Sequence, residues 1–405
     1  MDHNLSCDNE AAPPGGPAPL AWFADMVDHC LAFAAAAQAQ GRPLVGIMCE
    51  FTPREIILAA GAVPVCLCGG SGATIAQAEK TLPSNLCPLI KSTFGYHATG
   101  KNPFLRDADL VVAETTCDGK KKMFELMAET QPMHVLELPH KSESPAAFEH
   151  WVLEVRALQR ALETRFGVTI SDDQLREASR LLNRERGLRR QLADLMAAER
   201  PPLTGRQLLE FKSLISGLAA DLEQYGQALA FFGNGGAAPG SPRAQPTSQS
   251  PVRVLLTGVP LVHGAERVLE LIESCGTIIV AQENCTGLKP ILEDVSLDEP
   301  DPLRAIASKY YHLPCSVLTL NQRRLESLRA LAAKFRPQCV IELVWQACLT
   351  YDIESYHVRK LTEQELGLSY LKITTDYSPS DSARITARVA ALVELVRSQE
   401  TDNGF

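Results

Sequence analysis

Short apolar runs of strand length alternate with helical stretches in two series along the chain, and this alternation restricts the possible folds more than any other feature. The first series of apolar runs is LVGIMC from Leu44, VPVCLCG from Val63, LVVAE from Leu110 and MHVLEL from Met133. The second series is VRVLLTG from Val252, TIIVAQENC from Thr277, QCVIELVW from Gln338 and LKITTDY from Leu371. Strands that alternate with helices form parallel, doubly wound sheets. The sequence therefore predicts an α/β protein with two Rossmann-like or flavodoxin-like parallel-sheet domains.

The stretch between the two series has a different pattern. It shows long helical periodicity, with expected helix caps at Ser171 and Asp172 and a helix end at Pro201-Pro202. The following GNGGAAPGSPRAQPTSQSP is rich in Gly, Pro and Ser, which indicates a flexible linker. The predicted units are an N-terminal tail and helix at 1–40, an α/β domain at 41–145, a helical segment at 146–232, the linker at 233–251 and a second α/β domain at 252–405.

Charge and the N-terminal sequence bear on partners and location. Lys+Arg 39 against Asp+Glu 48 gives a formal net charge of -9, which repels phosphate backbones and anionic membranes. We therefore expect neither a nucleic-acid partner nor a membrane partner. The first twenty residues lack the apolar core of an export signal, so the expected location is the cytoplasm.

The chain has 12 cysteines, and in a reducing compartment such a number points to metal or redox chemistry more often than to disulfides. Six of them lie at predicted strand ends or helix starts. These six are Cys49, Cys87, Cys117, Cys285, Cys315 and Cys348. Backbone N–H groups at a helix start favour a thiolate over a thiol. The six are therefore the candidate metal ligands.

The other cysteines have different surroundings. We expect Cys30, Cys275 and Cys339 to fill the core as small apolar residues, while Cys7 lies in the loose N-terminus. Cys66 and Cys68 are separated by one residue, a spacing that leaves both a chelating role and a structural role open.

The type of metal site follows from the spacing of the six candidate ligands. Structural zinc sites usually use two close pairs such as C-x2-C, and the six provide no such pairs. Single thiols from both halves instead describe a site that assembles at a domain interface. Soft thiolates without a neighbouring histidine favour an iron–sulfur cluster over hard cations. The expected position is the cleft between the two domains, since ligands bind beyond the carboxyl ends of strands in such sheets.

Several motifs together resemble one known family. The motifs are CEFTPREIILAAGAVPV, LPSNLCPLIKS, AETTCDGKKKMFE, ENCTG, LPC and WQAC. They resemble the 2-hydroxyacyl-CoA dehydratase and benzoyl-CoA reductase subunit family, and most of all its branch of double-cubane cluster proteins. The resemblance covers about Leu44 to Leu138 and Val252 to Val396, and extends loosely through the helical segment.

This resemblance implies a cofactor. The positions that match the ligands of one four-iron cluster in ordinary dehydratase subunits are Cys87, Cys117 and Cys348. The additional Cys49, Cys285 and Cys315 match the double-cubane branch, in which six thiolates hold two [4Fe-4S] units joined by a bridging sulfide. The division of the six between the two cubanes stays open.

The resemblance also implies an activity and partners. A dimeric, ATP-hydrolysing activator with its own iron–sulfur cluster would deliver low-potential electrons, and the chain itself contains no G-x-x-x-x-G-K-[ST] motif. The expected protein is a homodimeric iron–sulfur reductase of an anaerobic or facultative host that reduces a small unsaturated molecule. The alternative is a 2-hydroxyacyl-CoA dehydratase subunit, a lyase with a single [4Fe-4S] cluster that acts by a ketyl-radical route. A cluster carrier without catalysis is a third possibility.

Four charged residues complete the candidate site. Lys120, Lys121 and Lys122 follow Cys117 closely and are expected to balance the negative charge of a thiolate-bound cluster, the alternative being a solvated helix start. Glu55 lies one helical turn after Cys49 and is the candidate proton donor. The alternative interpretation is that Glu55 is an ordinary glutamate beside a helix N-terminus.

Overall fold

The chain folds around two four-stranded parallel sheets, one in each half. A computed structural model describes residues 18–245 and 249–402. The strands of the first sheet are Leu44–Ile47 (β1), Val63–Cys66 (β2), Leu110–Glu114 (β3) and Met133–Leu136 (β4). Those of the second sheet are Val252–Gly258 (β5), Thr277–Glu283 (β6), Cys339–Trp345 (β7) and Ser369–Thr375 (β8). The predicted α/β fold with two parallel sheets is confirmed.

Helices connect the strands and cover the sheets. In the described residues they are Ala18–Ala24 (α1), Met26–Ala39 (α2), Arg54–Ala59 (α3), Ile75–Ala78 (α4), Pro88–Thr99 (α5), Pro103–Arg106 (α6), Asp118–Met127 (α7), Pro145–Phe166 (α8), Asp172–Asp194 (α9), Gly205–Glu210 (α10), Ala219–Gly233 (α11), Arg267–Ser274 (α12), Pro302–Tyr311 (α13), Gln322–Phe335 (α14), Leu349–Lys360 (α15) and Ser382–Asp402 (α16). Shorter helical turns are Gly72–Thr74, Leu195–Ala197, Lys289–Ile291, Leu361–Glu365 and Pro379–Asp381. No single helix among the described residues is long and apolar enough to cross a membrane, although α1 and α2, bent by 67°, pass such a test as a pair.

The two sheets have the same topology. Their strand orders are β2-β1-β3-β4 and β6-β5-β7-β8, which is the beginning of the flavodoxin-like order. In each sheet the order reverses beside the first strand, between β1 and β3 and between β5 and β7. Ligands of such sheets bind at this reversal, beyond the carboxyl ends of the strands. The fold therefore has two equivalent positions at which chain segments can form a site.

The central strands are buried because helices cover both faces of each sheet. Every residue of the central strands β1, β3 and β7 is buried, as is every residue of β6 at the edge of its sheet. This matches the continuous apolar runs in the sequence, since a strand covered on both faces needs no polar alternation. Cys339, the first residue of β7, is fully buried, and Cys30 is buried in α2, as expected for core cysteines. Cys275 follows α12 directly and packs beside the core, and Cys7 lies outside the described residues.

The helical segment connects the two halves. Ser171 caps α9 with its hydroxyl on the backbone N–H of Gln174, and the Gln174 side chain returns a bond to Ser171, which forms a capping box. Asp172 is the first residue of the helix. From α9, Asn183 donates to the carbonyl of Val295 in the second half over 2.8 Å. The α9 helix also packs on α3 of the first half. It therefore contacts both sheet-containing halves.

The Gly-rich and Pro-rich stretch differs from the expected flexible linker. In its described part before residue 246, Ala238 and Ser241 are buried, and the backbone N–H of Ala238 donates to the carbonyl of Pro202 over 2.8 Å. Arg243 donates to the carbonyls of Phe232 and Gly236. These hydrogen bonds hold the stretch against the helical segment even though its composition is poor in apolar side chains. The domain boundaries given above stay predictions.

Candidate metal centre

The carboxyl ends of strands from both sheets border one cavity of about 840 Å³. All six candidate cysteines line its wall. The six are Cys49, Cys87, Cys117, Cys285, Cys315 and Cys348. Three come from the first half of the chain and three from the second. Their sequence separations exceed those of any local metal-binding motif, so only the packing of the two halves brings them together.

Local structure places three of these thiols at the starts of helices. Cys87, Cys117 and Cys348 each occupy the residue immediately before a helix, at α5, α7 and α15 respectively. The first backbone N–H groups of a helix have no carbonyl partner within it, so they stabilise a nearby anion. Ala347, directly before Cys348, has a left-handed backbone with φ of 58°. This unusual conformation for a non-glycine residue lies where the chain turns from β7 into α15.

Cys87, Cys117 and Cys348 form what we call the first thiol group. A hydrogen bond with Cys348 lowers the pKa of Cys87, and the backbone N–H groups of Leu89 and Ile90 reinforce the shift against the effect of burial. The same bond, followed by burial, raises the pKa of Cys348. The charge of Cys117 also acts on Cys87. These three thiols are therefore close enough to interact directly or electrostatically.

Cys49, Cys285 and Cys315 form the second thiol group. Burial raises the pKa of Cys49 well above its ordinary value, and the charges of Cys285 and Cys315 add to the increase. Burial likewise raises the pKa of Cys285 to about 12, with a further contribution from Cys315. A buried thiol of this kind stays protonated until a metal or a cation replaces the proton.

The two groups divide the six thiols three and three, and each group contains ligands from both halves of the chain. Among the described residues, no three His, Cys, Asp or Glu side chains converge closely enough to hold one metal ion. The ligands of an iron–sulfur cluster bind different iron atoms, so a cluster does not require such convergence.

Two buried hydrogen-bond donors provide an independent test of whether the cavity suits an anionic sulfur cofactor. The hydroxyl of Thr116 and the indole Nε1 of Trp345 belong to residues that line the cavity, and neither atom has a hydrogen-bond partner among the described residues. Thr116 precedes Cys117, and Trp345 lies three residues before Cys348. An unpaired buried donor is costly unless an acceptor occupies the space beside it. Sulfide and thiolate sulfurs are acceptors of this kind, so the wall fits an iron–sulfur cluster.

The three lysines after Cys117 point in different directions. Lys120 lines the cavity and donates to the carbonyl of Met48 over 3.1 Å. Burial lowers its pKa, but the charges of Cys49, Cys68 and other neighbours raise it above the ordinary value overall. Lys121 pairs with Asp118 over 2.6 Å, and Lys122 pairs with Glu125, both on the exposed side of α7. The structure therefore brings Lys120 to the thiols and leaves Lys121 and Lys122 at the surface.

Glu55 does not line the cavity. Its buried carboxylate accepts hydrogen bonds from Arg186 over 3.0 Å and from the hydroxyl of Tyr310 over 2.8 Å. Burial raises its pKa, but the Arg186 and Lys309 charges and the Tyr310 hydroxyl lower it below the ordinary value overall. This arrangement favours a structural ion pair between α3 and α9 over the proposed proton donation.

The cavity wall also contains Cys66 and Cys68, whose chelating role the spacing left open, and Tyr351, which the sequence pattern did not single out. The thiol of Cys66 accepts from Arg54 over 3.6 Å, and that of Cys68 donates to the carbonyl of Met48 over 3.4 Å. Burial raises the pKa of Cys66 to about 11. Tyr351 lines the cavity three residues after Cys348. Its position one helical turn after a candidate ligand was the only sequence signal that could have identified it.

Comparisons with known proteins find a matching family model and several relatives. Residues 49–396 match the family model described as 2-hydroxyglutaryl-CoA dehydratase, D-component. The chain is 40% identical to the putative dehydratase subunit YjiM of Escherichia coli strain K12, over 88% of this chain and 92% of that protein.

More distant relatives have named activities. The lactoyl-CoA dehydratase subunit beta of Anaerotignum propionicum is 24% identical over 88% of this chain and 92% of that protein. A benzoyl-CoA reductase subunit of Thauera aromatica is 23% identical over 71% of this chain and 76% of that protein. The chain belongs to the 2-hydroxyacyl-CoA dehydratase and benzoyl-CoA reductase subunit family.

Proposed function

We propose that the cavity holds a double-cubane iron–sulfur cluster and that the protein is a reductase of a small unsaturated substrate. The observation that carries this proposal is the convergence of six thiols from both halves on one cavity wall. A single four-iron cluster needs no more than four such ligands. The three-and-three division of the thiols supports two cluster units over one. We propose that the first thiol group holds one unit and the second thiol group the other.

Residues of the chain itself would prepare this site. When bound, the cluster would supply low-potential electrons one at a time. Lys120 would offset part of its negative charge, because a nearby cation favours the reduced form of a thiolate-bound cluster. The donors of Thr116 and Trp345 would hydrogen-bond to its sulfur atoms. The apolar side chains of Leu86, Ile90 and Val262, which also line the cavity, would limit access of bulk water.

Partner proteins belong to the same proposal. The relatives in Anaerotignum propionicum and Thauera aromatica are named as enzyme subunits. We propose that this chain receives electrons from a separate ATP-hydrolysing iron–sulfur activator and that it works as a homodimer. Its host would live without oxygen at least part of the time, since exposed low-potential clusters react with oxygen.

A second candidate function is a subunit of a 2-hydroxyacyl-CoA dehydratase with one [4Fe-4S] cluster, acting by a ketyl-radical route. The name of the lactoyl-CoA dehydratase subunit beta favours this alternative. It requires a coenzyme A thioester substrate and, in the relatives named as subunits, a second chain. The two candidates differ in their metal content.

Iron and sulfide analysis of anaerobically purified protein distinguishes the two. The double-cubane proposal predicts about eight irons per chain, as two four-iron units require, whereas the dehydratase alternative predicts about four. Electron paramagnetic resonance of the reduced protein would test whether the irons form interacting clusters. Iron-free protein from an anaerobic preparation would contradict both candidates.

The ligand assignment has its own test. We expect Cys117→Ala and Cys315→Ala each to lose about half of the iron, because each removes a ligand of only one cluster unit. Cys275→Ala is the matched control, since that thiol bonds to the carbonyl of Leu271 and does not line the cavity. Equal iron in all three variants and the wild type would refute the assignment.

A further inference from the structure

The second half of the chain repeats a pattern seen around Lys120. In the first half, the buried strand-end residue Glu114 is followed by Cys117 and then by Lys120, six positions after the glutamate. In the second half, the buried strand-end residue Glu283 is followed by Cys285 and then by Lys289, again six positions later. Both lysines follow the carboxyl end of a strand that leads into the cavity.

Lys289 is held deep in the protein. Its side chain is only 1% exposed, and its Nζ lies 3.1 Å from the Oε1 of Glu283. The same Nζ donates to the hydroxyl of Tyr351 over 2.9 Å. Burial lowers the pKa of Lys289, but Glu283 and the second-group thiols Cys285 and Cys315 raise it overall, so the ammonium group stays charged.

Tyr351 connects this ammonium group to the cavity. Its side chain is buried and lines the cavity, as do Cys285 and Cys315. Its hydroxyl oxygen accepts from Lys289, and the described contacts give its hydroxyl hydrogen no acceptor. Because a tyrosine hydroxyl both accepts and donates, this hydrogen is free to bond to an acceptor inside the cavity. Lys289 polarises the hydroxyl and strengthens that donation.

We propose that Lys289 and Tyr351 form a hydrogen-bonded pair that donates to the sulfur atoms held by the second thiol group and raises the reduction potential of that cluster unit. This inference rests on the proposed double-cubane function. Hydrogen bonds to cluster sulfurs and nearby positive charge stabilise the reduced, more negative state. Tyr351 accepts its hydrogen bond from Lys289, whose charge acts on the second-group thiols Cys285 and Cys315. The pair therefore makes the two units unequal in potential.

Redox titration of the anaerobic, iron-loaded protein tests the pair. Tyr351→Phe removes only the hydroxyl, and Lys289→Met removes the charge that polarises it. We expect each variant to keep the wild-type iron and sulfide content and to lower one of the two midpoint potentials. The expected decrease corresponds to about a tenfold change in the equilibrium constant for reduction, which is 59 mV for a one-electron couple. The other midpoint potential should stay unchanged.

Two matched variants serve as controls. Lys309→Met removes a buried lysine that borders the same small neighbouring cavity as Lys289 but donates to the carbonyl of Pro290. Tyr370→Phe removes a tyrosine hydroxyl that donates to Glu342. Neither residue lines the cysteine cavity, so both variants should retain the wild-type potentials.

A spectroscopic measurement separates direct donation from a structural effect. After exchange into D₂O, electron–nuclear double resonance of the reduced wild type should show a strongly coupled deuteron that is absent in Tyr351→Phe. Unchanged potentials and an unchanged deuteron signal at wild-type iron content would overturn the inference while leaving the proposed function intact. Wild-type protein with about four irons, or none, would instead overturn the proposed function.

Discussion

At the scale of single residues, surroundings decide what chemically identical groups can do. Glu55 and Glu114 are both fully buried carboxyl groups. Arg186, Lys309 and the Tyr310 hydroxyl outweigh burial around Glu55 and lower its pKa. Around Glu114, burial dominates over the Thr52 hydroxyl and Lys120, and it raises the pKa to about 7. The first carboxyl therefore stays ionised at neutral pH, whereas the second is close to half-protonated.

The ion pair of Glu55 leads to a stability prediction. Glu55→Gln should lower the free energy of unfolding by about 3 kcal/mol at pH 7, because it leaves the buried guanidinium of Arg186 without its charged partner. Urea denaturation would measure the difference. Glu149→Gln is the matched control: Glu149 forms an exposed pair with Arg304, so its loss should change the free energy of unfolding far less than the loss of Glu55.

The same carboxylate gives a pH dependence with a definite sign. Its pKa is lower in the folded protein than in the unfolded chain, so the folded state releases the proton more readily and gains stability from ionisation. The advantage of the wild type over Glu55→Gln should be complete above about pH 5, where the unfolded carboxyl is also ionised. It should disappear as the pH falls through the lowered pKa. A difference that stays constant down to about pH 2 would contradict this account.

At the scale of secondary-structure elements, the central strands β5 and β7 approach each other closely at the carboxyl edge of their sheet. This edge borders the site. Gly258 ends β5 with φ of 113°, and a Cβ atom there would lie 2.0 Å from the carbonyl oxygen of Leu343 in β7. Only glycine satisfies both the backbone conformation and the spacing. The next residue, Val259, lines the cavity. The glycine therefore sets the path of the chain from the sheet into the site.

Replacing this glycine should be severe. Gly258→Ala is expected to lower the free energy of unfolding by at least about 3 kcal/mol, because backbone strain and overpacking add. Gly41→Ala is the matched control. Gly41 has φ of 75°, but no atom lies within 4 Å of the place that an added methyl group would take. This substitution should lower the free energy of unfolding by about 1 kcal/mol. Chemical denaturation would measure both variants. An equal decrease in the free energy of unfolding would show that the close contact with Leu343 adds nothing to the cost of replacing Gly258.

At the scale of the whole molecule, the site depends on how the two halves pack. Each thiol group contains cysteines from both halves, and α9 contacts both. A cluster bound by either group would therefore link the two sheets. Ligands that bind only the folded state stabilise it, so the proposed metal should contribute to the stability of the whole chain.

Removing the metal tests this link. Anaerobic chelation of iron from the wild type should lower the Tm by at least about 5 °C, since loss of a tightly bound ligand removes several kcal/mol of folding free energy. Differential scanning calorimetry would measure the shift. The double variant Cys117→Ala with Cys315→Ala lacks a ligand in each group, and chelation should leave its Tm almost unchanged. A wild-type Tm that does not respond to chelation would contradict a structural role for the metal.

The sequence by itself determined the two parallel sheets and the positions of the candidate ligands along the chain. Apolar runs such as that of β3 predicted their strands because helices bury both faces of a parallel sheet. Cys49 and Cys117 could be assigned to one sheet edge, since the carboxyl ends of neighbouring parallel strands meet there. These inferences depend on local periodicity and on a general property of α/β sheets, which one sequence displays.

Only the tertiary structure decided which distant groups meet. Arg186 lies 131 positions from Glu55, and no local pattern indicates that the two form a buried ion pair. The orientation of α7 brings Lys120 to the thiols and leaves Lys121 in solvent, although the two are adjacent in sequence. The convergence of the six cysteines on one cavity arises from the packing of the two halves, and the contact between Lys289 and Tyr351 arises from the packing of elements within the second half. Such contacts depend on the relative placement of whole elements, which the periodicity within each element does not specify.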